Sequence, residues 1–107
     1  MTHVSTHVLN AVTGLPGAGV AVTLTDSAGT ILAQASTDAD GRVGSLTDAD
    51  LTGVYRLTFD TASYFAAQGV AGFYPEVVIS FEITDAGGRF HVPLLLSPYA
   101  YSTYRGS

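Results

Sequence analysis

The chain has 107 residues and a mass of 11.1 kDa, which fits a single domain over residues 1–107 and leaves no length for a second. Nine acidic residues stand against four basic ones, all arginine, and give a net charge of −5. Nucleic acids and anionic membranes are bound by clusters of cations, so neither is expected as a partner. Hydrophobic residues make up 47% of the chain and charged ones only 12%, so part of the surface is expected to contact another subunit.

The chain contains no cysteine, which excludes a disulfide framework and leaves the redox compartment undetermined. Its first residues lack the basic and apolar segments of a secretory signal, and its apolar runs are too short to cross a membrane. The sequence therefore predicts a soluble, unprocessed cytoplasmic protein.

The first half of the chain is dominated by an alternation of apolar and polar residues, which indicates half-buried strands. Val20, Val22 and Leu24 fall on one face, and a glycine-containing turn after Asp26 leads into the next strand as an antiparallel hairpin. Strands are predicted near 4–10, 20–26, 30–37, 44–46 and 54–59.

One segment breaks this alternation and predicts a helix over 61–68. Asp60 or Thr61 can cap its beginning, and Gly69 can end it. Strands resume at 76–84, 89–96 and 99–105, with a second hairpin expected at the turn 85–88. Seven or eight short strands predict an all-β fold, a two-sheet antiparallel β-sandwich with one short helix.

The histidines are the first candidates for chemistry. His7 falls in the first strand, where it is either a general base or a strand histidine bonded to a backbone carbonyl. His91 shares a strand face with Pro93 and Leu95, and the opposite face is apolar as well. A strand that is apolar on both faces is expected to meet the core on one side and a partner subunit on the other. We assign His3 to a solvated strand end.

Arg42 and the polar C-terminus complete the candidates. Arg42 follows a turn and is either a solvated loop residue or a substrate clamp. Asp38 and Asp40 beside Gly41 faintly resemble a calcium loop, but the glycine and the later glutamate are out of register, so no metal is predicted. The tail from Tyr104 to Ser107 is expected to be packed rather than frayed.

The remaining chemical groups are imidazoles, guanidinium groups and hydroxyls, because no phosphate loop, serine elbow, zinc motif or catalytic cysteine is present. This set suits hydrolysis of a planar, polar, partly anionic ring. An imidazole can deprotonate water, and an arginine can orient the substrate and hold developing oxyanion charge.

Several segments, read together and in order, closely resemble the 5-hydroxyisourate hydrolases, the transthyretin-like enzymes of purine degradation. The most specific is the C-terminal Tyr-Arg-Gly-Ser, which separates these hydrolases from the hormone-carrying transthyretins. Further segments are Ser5-Thr-His-Val-Leu9, Asp40-Gly-Arg42, Tyr55-Arg-Leu-Thr-Phe59, Phe73-Tyr-Pro-Glu-Val77 and His91-Val-Pro-Leu-Leu-Leu-Ser-Pro98. One departure is Arg89, where the family often has histidine.

The resemblance implies a homotetramer, a dimer of dimers, with active sites in a channel at the dimer–dimer interface. It implies hydrolysis of 5-hydroxyisourate to 2-oxo-4-hydroxy-4-carboxy-5-ureidoimidazoline in urate degradation, with no metal or organic cofactor. His7, Arg42, His91 and Ser107 would be catalytic, and Tyr104, Arg105 and Gly106 would bind substrate. Either His7 or His91 would be the base.

Two other interpretations stay open at this stage. The sandwich could carry an aromatic small molecule without reacting it, as a non-catalytic transthyretin-like binding protein. It could also be a structural module, whose apolar faces serve only assembly.

Overall fold

A computed structural model describes residues 1–107 as eight strands and one helix. Two four-stranded sheets, with strand orders β4-β1-β7-β8 and β3-β2-β5-β6, enclose one core. The elements are β1 (His3–Asn10), β2 (Ala21–Asp26), β3 (Ile31–Ser36), β4 (Arg42–Val43), β5 (Gly53–Phe59), α1 (Thr61–Ala67), β6 (Val77–Ile83), β7 (Arg89–Ser97) and β8 (Ala100–Thr103). The predicted two-sheet sandwich with one short helix is confirmed. No helix has the length and apolar character needed to span a bilayer.

The core forms where the alternating apolar faces of the two sheets meet. Both sheets contribute, the first through residues such as Val4, Val8 and Leu94, the second through residues such as Leu24 and Phe59, all fully buried. Full burial of each such side chain stabilises the fold by about 1.5–3 kcal/mol. The predicted face of Val20, Val22 and Leu24 is confirmed as buried. Also buried are Leu57, Phe59, Val77, Ile79, Ile83, Phe90, Val92, Leu94 and Leu96, whereas Tyr55 and Phe81 are only partly buried.

The helix follows β5 and closes one part of the core. The Asp60 side chain accepts hydrogen bonds from the backbone N–H and the hydroxyl of Ser63, which cap the helix and lower the pKa of the Asp60 carboxyl. Gly69, at φ 68°, takes the left-handed conformation just beyond the C-terminal end. Tyr64 is buried, and its hydroxyl accepts a hydrogen bond from the Asn10 amide at 3.0 Å. The predicted helix is therefore confirmed within one residue.

The predicted hairpin between β6 and β7 is wrong. These strands belong to different sheets, and the turn at 85–88 carries the chain from one sheet to the other. β7 instead pairs with β1 in parallel, the only parallel pair in the structure. Both strands bury one apolar face in the shared core. The alternation of apolar and polar residues is the same whether two consecutive strands pair in one sheet or face each other across the core, so it cannot distinguish the two arrangements.

Two predicted strand boundaries also differ from the structure. The strand expected at 44–46 is only Arg42–Val43, although the Leu46 N–H still donates to the Val4 carbonyl of β1 at 2.8 Å and Leu46 packs in the core. The last strand ends at Thr103 rather than at residue 105, and the tail turns from there toward β7.

Candidate active site

A polar surface covers the first parts of β1 and β7, on the side of the sheet that faces away from the core. Along β1, His3, Ser5 and His7 are half-buried on this side, while the residues between them are buried in the sandwich. The parallel register sets His3 beside Arg89 and Ser5 beside His91. Residues far apart in the chain therefore come together on one face.

His91 is held by Ser5. The Ser5 hydroxyl lies 2.8 Å from Nδ1 of the imidazole, which fixes the ring plane and occupies that nitrogen. Nε2 is thus the ring nitrogen left to act on a bound molecule. Burial lowers the pKa of His91, and the charges of Arg42, His7 and His3 lower it further. The imidazole therefore keeps its neutral, proton-accepting form to lower pH than an ordinary histidine.

A tight turn delivers Arg42 to this surface. One carboxylate oxygen of Asp38 accepts hydrogen bonds from the backbone N–H groups of Asp40 and Arg42, so Asp38 closes the turn. Gly41, at φ 75°, packs so closely on β1 that a Cβ would overlap the carbonyl oxygen of Val8. These constraints set Arg42 opposite His7 across the β1–β4 pair, with its side chain exposed.

The C-terminal tail crosses over His91. The Gly106 N–H donates to the His91 carbonyl at 2.9 Å and forms an isolated bridge with β7. A Cβ on Gly106 would overlap Cδ2 and Cγ of the imidazole, so the close approach requires glycine. The predicted packing of the tail holds only at Gly106, which is half-buried, whereas Tyr104, Arg105 and Ser107 are exposed. The tail still forms one wall of the space above His91.

These groups line a single polar pocket of about 320 Å³. Only one of its ten lining residues, Val43, is hydrophobic, and none has an acidic side chain. The lining comprises His3, Ser5, Thr6, Arg42, Val43, Gly44, Arg89, His91, Gly106 and Ser107. No group of three or more His, Cys, Asp or Glu side chains in the structure could hold a metal ion. The chemistry within reach is that of imidazole, guanidinium and hydroxyl.

The structure separates some residues that the sequence analysis grouped. His7 does not line the pocket; it lies beyond Ser5 on the same face and acts on His91 through its charge. Tyr104 and Arg105 line a neighbouring cleft of about 330 Å³, which also reaches His91. The Arg105 guanidinium lies 5.0 Å from the centre of the Phe90 ring, a cation–π contact that holds the tail.

Six of the ten lining residues were not predicted as site residues, among them His3 and Ser5. His3 lies at the end of a strand, as predicted, since it is the first residue of β1, but it is half-buried in the pocket wall rather than solvated. Ser5 was not singled out, although it is the hydrogen-bond partner of His91. Alternation places both on the polar face of β1, but only the parallel register with β7 shows what they contact.

The two sheets, the single short helix and this polar pocket define a transthyretin-like protein. Residues 4–106 match the family model described as the HIUase/Transthyretin family, and the chain belongs to that family.

A 5-hydroxyisourate hydrolase from Salmonella dublin is 44% identical over 108 residues, covering 96% of this chain and 79% of the relative. The solved structure of Klebsiella pneumoniae 5-hydroxyisourate hydrolase has a TM-score of 0.90 at 40% identity, covering 98% of this chain and 99% of that one. Transthyretin from Sparus aurata has a TM-score of 0.89 at 33% identity, covering 96% and 95%. Hydrolases and transthyretins thus share this fold, so the fold alone does not separate the two functions and the residues of the pocket are needed to do so.

Proposed function

We propose that this protein hydrolyses 5-hydroxyisourate to 2-oxo-4-hydroxy-4-carboxy-5-ureidoimidazoline, a step of urate degradation. The observation that carries the proposal is one pocket that holds a hydrogen-bonded imidazole of lowered pKa, a guanidinium and the tail's Gly106 and Ser107. The similarity to hydrolases across the whole chain supports it. A pocket with a single hydrophobic lining residue suits a polar ring better than an apolar cargo.

His91 is the general base in this proposal. A base that works near neutral pH must be unprotonated, and the lowered pKa of His91 favours that form. With Nδ1 engaged by Ser5, Nε2 takes a proton from water as the water oxygen bonds to the ring carbonyl carbon. The C–N bond then breaks as the leaving nitrogen takes the proton from Nε2 of His91, which restores the neutral base, and the new carboxylic acid loses its proton to solvent. His7 supports the base electrostatically instead of contacting the water.

Arg42 has two roles in the proposed reaction. Its guanidinium binds the carbonyl oxygen on which negative charge develops, and this stabilises the transition state. Its positive charge also disfavours the imidazolium form of His91, which keeps the base available. Neither role needs a metal or an organic cofactor.

The tail closes the site from the other side. Gly106 sets the chain against the imidazole, and we assign the Ser107 hydroxyl to holding the attacking water. Tyr104 and Arg105 lie in the adjoining cleft, so any contact they make with substrate comes from the far side of His91. Their role in substrate binding stays a prediction.

We also propose that the protein is a homotetramer, a dimer of dimers, that works in the cytoplasm. β6 and β8 are edge strands of their sheets, and an edge presents unpaired backbone groups to a second copy. Exposed apolar side chains support further contacts, including Val12, Leu15 and Tyr101. Light scattering on the eluted protein should give about four times 11.1 kDa, and a monomer would refute the assembly.

The proposed activity can be tested directly. 5-Hydroxyisourate is generated from urate with urate oxidase, and its ultraviolet absorbance is followed with and without the protein. Because the compound also decays spontaneously, the expected result is acceleration proportional to protein concentration and its loss in Arg42→Ala. Binding of the compound without acceleration of its decay would favour a transthyretin-like carrier. The absence of both binding and acceleration would favour a structural module.

A further inference from the structure

Positive charge is concentrated at one place in an acidic protein. The net charge is −5, yet two of the four arginines, Arg42 and Arg89, line this one pocket. The only ion pair in the structure joins the N-terminal amine to Asp50, so neither pocket arginine is neutralised by a carboxylate. No acidic side chain lines the pocket. The side chains that line this pocket carry an excess of positive charge, which favours an anionic occupant.

The two guanidinium groups belong to opposite ends of this surface. Arg42 pairs across strands with His7, and Arg89 pairs with His3, four residues earlier on β1. His91 lies between these ends, beside Ser5, and successive same-face positions of a strand are about 6–7 Å apart. A ring bound over His91 therefore has one arginine on each side.

The two arginines also differ in their effect on the imidazole. Arg42 leads the charges that disfavour protonation of His91, whereas Arg89 is not among them. The Arg89 side chain is exposed and lines the pocket, so it can contact a bound molecule without a direct effect on the base. Its backbone is held in place, since its carbonyl accepts a hydrogen bond of 3.5 Å from the Arg105 guanidinium.

We infer that Arg89, with His3 beside it, is a specificity-determining anion-binding end of the pocket, which holds the negatively charged part of a planar heterocyclic substrate away from the reacting carbonyl. This inference rests on the proposed function. Arg89 contacts the substrate equally before and during the reaction, so it contributes to binding and not to the chemical step. It selects anionic rings over neutral rings of the same shape.

Arg89→Gln tests this, with Arg56→Gln as the matched control. Arg56 lies in the other sheet, outside the pocket, and donates to the carbonyl of Ser27, so both variants remove one positive charge from the chain. In the hydrolysis assay, Arg89→Gln should raise KM about tenfold, leave kcat within about twofold and keep the pH profile. The reason is that a charged contact of equal strength in the ground state and the transition state affects KM and not kcat when it is removed. Arg56→Gln should match the wild type. An unchanged KM in Arg89→Gln would overturn the inference.

A binding experiment keeps this test separate from the activity. Calorimetry compares orotate, a planar ring with a carboxylate, with uracil, the same ring without it. The wild type and Arg56→Gln should prefer orotate at least about tenfold, Arg89→Gln should lose most of that preference, and Arg89→Lys should keep part of it. A wild type without the preference, or Arg89→Gln with all of it, would overturn the inference. A wild type that binds orotate but does not accelerate hydrolysis would refute the proposed function alone.

Discussion

Gly106→Ala should uncouple activity from stability, because Gly106 lies directly against the imidazole of the proposed base and belongs to a tail that is mostly exposed. The added methyl group overlaps the His91 ring, so the tail must move away and lose the N–H bond to the His91 carbonyl. One such bond contributes about 0.5–1.5 kcal/mol, which corresponds to a fall in Tm of about 4–8 °C for each kcal/mol in a domain of this size. Displacing active-site groups by about 1 Å costs about 10²-fold in rate. The rate should therefore fall far more than the stability.

The assay is the acceleration of 5-hydroxyisourate decay, measured beside a thermal melt of the same sample. Gly87→Ala is the matched control, since its Cβ would meet only a carboxylate oxygen of Asp85, at an ordinary contact distance of 3.7 Å, and should leave both quantities unchanged. Wild-type kcat/KM in Gly106→Ala would show that the tail has no part in the reaction. If Gly106→Ala lost so much folded protein in the melt that this alone explained the lower rate, Gly106 would serve folding instead.

Three further changes address the groups around His91. Removing the nearby charge in Arg42→Gln should raise the pKa of His91, which NMR titration can measure against an unchanged Arg56→Gln; an equal pKa would refute the electrostatic role. His91→Asn should reduce turnover about 10²–10⁴-fold, and full turnover would exclude His91 as the base. The pKa of His91 in the folded protein lies below the ordinary 6.5, so the free energy of unfolding should decrease as the pH falls from above 6.5 through the folded pKa. Urea melts should show a smaller decrease in His91→Asn, and a decrease equal to that of the wild type would contradict the lowered pKa of His91. Ser5→Ala should lower kcat/KM about fivefold, with Ser5→Thr near the wild type; no loss in Ser5→Ala would remove Ser5 from the site.

Most of the fold could be predicted because its signals are local. The inward faces of β2 and β6 follow from alternation alone, and the helix follows from a capping aspartate and a terminating glycine. What could not be predicted is the pairing of β7. A short glycine-containing turn is compatible with a hairpin or with a crossing between sheets, and the outcome depends on which distant strand offers the better partner.

The site has the same limit. Residue types alone supplied His91, Arg42 and the tail as candidates for a hydrolytic set, whereas the resemblance assigned their roles and the substrate. His3 and Ser5 carry no motif of their own, and their place in the pocket depends on a register between residues more than eighty positions apart.

That register explains why the pocket is formed at all. A shift of one residue between β1 and β7 would place His91 beside Val4 or Thr6, whose side chains point into the core, and Ser5 would lose the imidazole. The shift is opposed by the core itself, because it would also misalign Val4, Val8 and Leu94, all fully buried. The apolar face of the sandwich therefore fixes the geometry of the polar face. Because a conservative core substitution such as Val8→Ala lies on this coupling, it should weaken the Ser5–His91 contact as well as the fold.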